Sequence, residues 1–442
     1  MSNGKKGIGA LNKIIIFIAV AVNVVFGIKE ILGIFSSDDD IKTGNFYTDD
    51  FYTDDFYTDD ITSDSTDNSQ DNNENNNQNT NQNNNQNNGV SDDSGLVPKY
   101  RERYDQLNVR QKEYYQQILS GVRKNKLEYY FEGASLEDIS SVYQDVFLSM
   151  HPEFFWLDNS FRYRIDANGI AVSLDTYNYW KYVSNPQQYV DRLDAQVEKI
   201  VNQANKQPTT YDKVKYVHDY LVKNIEYDQD ALKELDSTFM STSTEQTLSI
   251  YGALVNGKTL CGGYSESFYY LMKKLGIECY YITGYAGEYH AWNYLKLDGD
   301  YYYMDVTWDD TPVTNRNGIS IYPDNVMYDY FCITSNEISK NHTVDSFIDV
   351  PYADSVAYSY FVREGLVFDT YNYNEAKNAL SKQKNNSAMF LKYTNKSAFD
   401  AAYDELITDG KIWRMNVINK KVFYHRFDND IYTIMIIPSD YS

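Results

Sequence analysis

From Asp67 to Asn88 the chain is almost wholly Asn, Gln, Asp and Glu. Such a tract has nothing to bury against the conformational entropy that folding costs, so it separates a leader from the part that can fold. Just upstream, Phe-Tyr-Thr-Asp-Asp occurs three times in tandem, at Phe46, Phe51 and Phe56. A five-residue period is too short for a solenoid unit, and its acidic half repels itself. A Ca²⁺ site in the repeats would need alternating oxygen ligands around a central Gly, and that pattern is missing. Residues 36–98 therefore read as a disordered acidic and Asn/Gln-rich tether.

Ahead of the tether, residues 1–13 are a basic N-terminus with Lys5, Lys6 and Lys13, and residues 14–35 are a hydrophobic segment. Its apolar run extends from Ile14 to Gly27, is interrupted by Lys29 and Glu30, and resumes from Ile31 to Phe35. The uninterrupted part is nearer a signal core than the roughly 20 apolar residues of a spanning helix, although snorkelling of Lys29 would allow a short anchor. Lysines before the segment place the N-terminus inside and the remainder outside. The expectation is an extracytoplasmic protein, membrane-anchored or secreted through this segment. A cytosolic protein with a hydrophobic N-terminal helix is the competing reading.

The foldable part begins near Tyr100. A hydrophobic content of 42%, with 44 tyrosines among the aromatics, supplies a substantial core. The net charge of −23 argues against a nucleic-acid partner, which demands a basic face. Residues 99–210 read as an N-terminal α+β region. Helical periodicity at Leu107, Tyr114, Ile118 and Val122 is followed by strand-like Phe161–Ile165 and Gly169–Leu174 and a helical zone from Pro186 to Asn205. Val214, Val217, Leu221 and Ile225 then fall on one helix face, and Asp236 to Glu245 reads as a surface loop. Residues 351–442 read as a small C-terminal α+β domain, with strands at Ala388–Tyr393, Val422–His425 and Ile431–Ile437 and a helix at Ser397–Leu406.

Between these regions lie the residues that carry chemistry. Three cysteines, Cys261, Cys279 and Cys332, cannot build a disulfide framework, so the question is whether one is a nucleophile. Cys279 and Cys332 sit in apolar strand-like runs, the ordinary place for a small buried cysteine. Cys261 instead opens a helix whose stripe is Tyr264, Phe268, Leu271, Met272 and Leu275, and which Gly276 is placed to end. In the first turn, unpaired backbone N–H groups and the helix dipole favour a thiolate. Gly262 and Gly263 leave the approach to the sulfur open, and the same N–H groups can receive an oxyanion.

His290 lies in an alternating strand that Asp298-Gly299 turns back on itself. With a two-residue turn, Leu297 faces Asp300 and His290 faces Thr307. Asp305 shares the parity of Thr307, which makes it a diagonal neighbour of His290 on one face. A histidine oriented by a carboxylate is what a cysteine nucleophile needs. Of the other histidines, His218 reads as a core or interface residue, and His151, His342 and His425 show no cysteine or carboxylate pattern around them. Zinc on Cys261, His290 and Asp305 is suited in ligand type but lacks any C-x-x-C or H-x-x-x-H element, so neither metal nor cofactor is expected.

The segments Gly257–Phe268, Leu275–Gly284, His290-Ala-Trp-Asn and Met304-Asp-Val-Thr-Trp-Asp-Asp together resemble the transglutaminase-like core. They are most similar to the bacterial transglutaminase-like proteins, and Lys215–Asp228 matches that group too. The resemblance covers about residues 211 to 345. It implies an α+β, papain-like fold with the cysteine on a helix and the histidine and aspartate on a sheet. The implied roles are nucleophile for Cys261, base for His290 and orienting acid for Asp305, with Tyr251 as a candidate oxyanion donor upstream of the cysteine. The implied substrate is a protein or peptide amide, with a cell-wall location open. The reaction reads as hydrolysis ahead of cross-linking transfer. The alternative is a non-catalytic cell-surface binding module on the same fold.

Overall fold

A computed structural model of the chain describes residues 42–44, 104, 107–235, 240–313, 320, 322, 326–345 and 350–440. The hydrophobic N-terminal segment and the Phe-Tyr-Thr-Asp-Asp repeats lie outside them. Of the tether, Lys42–Gly44 (β1) are described, and they pair antiparallel with Tyr163–Phe161.

The fold is α+β, as expected. Helix α1 (Val109–Val122) starts at a capping box in which Asn108 and Gln111 satisfy each other's backbone N–H groups, and its buried face includes Tyr114, Ile118 and Val122. Strands β2 (Glu128–Glu132), β3 (Leu157–Ile165) and β4 (Gly169–Thr176) complete an antiparallel sheet in the order β1-β3-β4-β2. Helix α2 (Pro186–Ala204) and helix α3 (Thr210–Asn224) follow, and α3 buries Val214, Val217 and Leu221. The polar stretch read as a loop is helical over Thr242–Thr247, because Ser241 caps it and accepts from Thr244 N–H. Its Glu245 is buried and accepts the backbone N–H groups of Asn178 and Tyr179. A polar composition conceals such a helix, since its polar groups are spent on caps rather than on water.

The central layer is helix α4 (Cys261–Lys274) against a five-stranded antiparallel sheet. That sheet comprises β5 (Cys279–Tyr285), β6 (Tyr289–Leu297), β7 (Asp300–Met304), β8 (Phe331–Ile333) and β9 (Thr343–Val344), in the order β8-β7-β6-β5-β9. Helix α4 ends where Gly276 adopts φ +72°, with Ile277 N–H returning to the Met272 carbonyl. Its buried Tyr264, Phe268, Leu271 and Met272 each contribute on the order of 1.5–3 kcal/mol by leaving water.

The C-terminal sheet comprises β10 (Val367–Phe368), β11 (Met389–Tyr393), β12 (Val422–Asp428) and β13 (Thr433–Ser439), in the order β10-β11-β13-β12. One apolar cluster runs continuously from Leu107 to Ile437, so the central and C-terminal layers share a core. Arg426 pairs with Asp329 at 2.5 Å and Lys392 with Glu337 at 2.8 Å, fastening the C-terminal sheet to the chain that leads into β9.

Candidate active site

Cys261 is the first helical residue of α4, after an extended Leu260, and Tyr264 N–H makes the first helical bond to the Leu260 carbonyl at 3.1 Å. The N–H groups of Cys261, Gly262 and Gly263 are thus outside the helical ladder. A Cβ on Gly263 would lie 1.8 Å from Thr259 Oγ1, which itself donates to the Thr247 carbonyl, so only glycine fits here. The helix is pinned to the sheet by two polar side chains. Ser265 Oγ lies 2.7 Å from the Ala291 carbonyl, and Asn293 Nδ2 donates to the carbonyls of Ser265 and Tyr280 at 2.9 and 3.1 Å.

The hairpin of β6 and β7 turns at Asp298 and Gly299, both with positive φ, and pairs Leu297 with Asp300 as the two-residue turn requires. Pairing ends at Met304, so Thr307 never meets His290. Asp305 leaves the β6 ladder and donates its N–H to the Tyr330 carbonyl instead. From there its carboxylate still reaches His290 diagonally, with Oδ2 2.7 Å from Nε2. Since Nε2 faces Asp305, Nδ1 is the ring nitrogen left over, and Cys261 lies near enough to raise the pKa of this ring. The structure therefore brings all three residues together, each buried.

The electrostatics follow from burial working against charge pairing. Burial disfavours the His290 imidazolium, but Asp305 and Cys261 outweigh it and raise the pKa from 6.5 to about 10. Burial likewise opposes the Asp305 carboxylate, yet His290 and His342 hold it well below the usual range. Burial pushes the thiols of Cys279 and Cys332 up, consistent with ordinary buried cysteines.

His342 was not legible from spacing. Contrary to the sequence reading, it does have a carboxylate beside it: its Nε2 lies 3.1 Å from the same Asp305 Oδ2, across 37 residues of chain. His151 also has one, with Nδ1 2.9 Å from Glu153 and Nε2 2.8 Å from the Tyr115 hydroxyl. His218 is fully buried, as a core residue should be, and is held between Asp219 and Asp309 at 3.1 Å each. Tyr251 stacks on Phe155 at 5.1 Å and on Tyr189 at 5.2 Å, within an aromatic cluster. Among the described residues, His290, Asp305 and His342 present three ligand-type atoms within 4.8 Å of one another. Their 2.7 and 3.1 Å separations are hydrogen-bond distances.

A helix-start cysteine beside an imidazole that pairs with a buried carboxylate defines a cysteine-enzyme domain. Residues 198–306 match the sequence profile of the transglutaminase-like superfamily, and this part of the chain is a domain of that superfamily. The chain is similar to kyphoscoliosis peptidase of Homo sapiens, 27% identical over 153 residues, which is 31% of this chain and 22% of that protein. The Mus musculus kyphoscoliosis peptidase is 28% identical over 110 residues, covering 22% of this chain and 15% of its own. The match thus spans about a fifth of these relatives' length. A crystal structure described as a TGase aligns with a TM-score of 0.26 at 20% identity, covering 36% of this chain and 45% of the other.

Proposed function

We propose that the protein forms an acyl-enzyme at Cys261 from a protein or peptide amide, with water as the preferred acceptor. The observation that carries this reading is the 2.7 Å contact between His290 Nε2 and Asp305 Oδ2, which leaves the other ring nitrogen to the Cys261 sulfur. Cys261 attacks the amide carbonyl and forms a thioester after loss of the amine. His290 delivers the proton to that amine, and Asp305 stabilises the imidazolium throughout. The free N–H groups at the start of α4 are the first candidates to receive the tetrahedral oxyanion, with Tyr251 as a side-chain candidate. Water then attacks the thioester with His290 as base. Hydrolysis is favoured over amine transfer because no amine-binding group stands out near Cys261 in the sequence, and the matched relatives bear the name peptidase.

A second reading, a non-catalytic surface module, draws on the burial of Cys261, whose exposure is only 1%. The lysine-flanked hydrophobic segment supports action outside the cytoplasmic membrane, anchored or secreted, with a cell-wall peptide as one substrate location. One experiment separates these readings: incubation with a glutamine-containing protein and a fluorescent amine, comparing native protein with Cys261→Ala. New termini, or ammonia release without amine incorporation, identify hydrolysis; amine incorporation, which also releases ammonia, identifies transfer; and equal inactivity of both proteins sinks the enzyme reading.

A further inference from the structure

We infer that His342 is a positioning residue for the reaction at Cys261, holding the Asp305 carboxylate in the orientation that His290 requires. The inference rests on the thiol-enzyme reading above and adds a fourth member from outside the matched residues 198–306.

The Asp305 carboxylate has three partners. Oδ1 accepts from Trp308 N–H at 3.0 Å, while Oδ2 meets His290 Nε2 at 2.7 Å and His342 Nε2 at 3.1 Å. Two imidazoles on one oxygen fix the rotation of the carboxyl group in a way that one imidazole does not. His342 is itself immobilised. Its ring packs against Trp308, Trp292 and Tyr330 at centroid separations of 4.5, 5.0 and 5.4 Å. Its backbone N–H donates to the Ile338 carbonyl, and the next two residues form the edge strand β9 against β5.

The proton positions are consistent with an orienting group. Burial, the largest influence, lowers the His342 pKa, so the ring is neutral beside the charged His290. Nε2 must then carry the proton in order to donate to Asp305. Nδ1 lies 2.6 Å from the Asn341 amide, whose other end lies 2.6 Å from the Tyr330 hydroxyl. There Asn341 Oδ1 faces Nδ1 and Nδ2 donates to Tyr330; a half-turn of the amide, which exchanges its O and N, would let Asn341 donate to His342 and His342 donate to Asp305. A ring serving only as packing would need neither of these two ring-nitrogen contacts.

The test uses the full chain and the variants His342→Leu and His342→Gln, with thermal melts to establish folding. The glutamine amide can donate from nearly the position of imidazole Nε2, and leucine cannot. Iodoacetamide alkylation of Cys261 is followed from about pH 5 to about pH 9. His342→Leu is expected to slow alkylation near pH 6 by about tenfold or more and to alter the acid limb of the profile, with His342→Gln within about threefold of native. Equal losses in both variants, or a loss with unchanged pH dependence, would assign His342 to packing and overturn the inference. If native Cys261 reacts no faster than an ordinary thiol, it is the enzyme reading that fails. The His342 link is then read in Cys261→Ala from the downfield proton resonance of the His290–Asp305 bond. Its loss with leucine but not glutamine supports the inference, and its persistence in both overturns it.

Discussion

Replacing Asp305 by asparagine tests the geometry most directly, because it preserves shape and inverts one hydrogen bond. The amide oxygen can still accept Trp308 N–H, so its NH₂ is left facing the Nε2 atoms of His290 and His342. Each ring must then accept at Nε2 and carry its proton on Nδ1. For His290 this is the nitrogen that should take the thiol proton, so the base is lost while the fold remains. The magnitude follows from the His290 pKa, which stands at about 10 against an ordinary 6.5. That difference is roughly three orders of magnitude in imidazolium population. Asp305 is the leading cause of the rise against burial, so its removal should bring the pKa down. At pH 6 the native imidazole is protonated, and the variant ring has lost the carboxylate that favours that charge. Alkylation of Cys261 near that pH should fall by about 10² to 10³, with the gap narrowing toward pH 9 as ordinary thiols ionise. The assay is pseudo-first-order iodoacetamide labelling with site assignment by mass spectrometry. Superimposable native and variant profiles would refute the reasoning. The linkage to stability has its own signature. The raised His290 contributes stability that is complete below about pH 6.5 and lost as pH rises toward about 10, while the depressed Asp305 contributes stability lost only in acid. Chemical denaturation should therefore show the contribution of this pair to be greatest between about pH 4 and 6.5.

Four further outcomes are expected. Labelling at pH 6 should modify Cys261 ahead of Cys279 and Cys332, which are buried with raised pKa values, and mass spectrometry should find no labelled thiol in native-state Cys261→Ala. Asn293→Leu removes one donor from each of the Ser265 and Tyr280 carbonyls and should cost about 1–3 kcal/mol in urea unfolding, with lower Cys261 reactivity as α4 loosens from β6. Gly263→Ala places a methyl group 1.8 Å from Thr259 Oγ1, so a thermal melt should show a loss of about 3 kcal/mol or more, or no cooperative fold. Asp310 is raised by burial to about 8 despite the hydroxyl of Tyr264 at 2.5 Å. A raised carboxyl makes the folded state lose stability as pH climbs from about 4 to about 8, so Asp310→Asn should flatten the pH dependence of the melting temperature over that range.

The local part of the site was legible because it rests on short-range rules. Cys261 opens a helix since the apolar stripe from Tyr264 to Met272 begins after it and Gly276 must end it in the left-handed region. The Asp298-Gly299 turn sets Leu297 against Asp300, and that pairing carries the diagonal from His290 to Asp305. Periodicity and turn chemistry act within a few residues, so a single sequence is enough to read them. What tertiary structure decided depends on contacts no spacing announces. Strand pairing stops at Met304, because Asp305 turns its N–H to Tyr330 rather than to β6. Edge strand β9 brings His342 onto the Asp305 carboxylate, and α3 brings His218 onto Asp309 across 91 residues. A histidine in sequence carries no mark of which buried carboxylate it will meet. Only the closing of the core chooses that partner, since burial makes an unpaired carboxylate costly and the nearest imidazole relieves it.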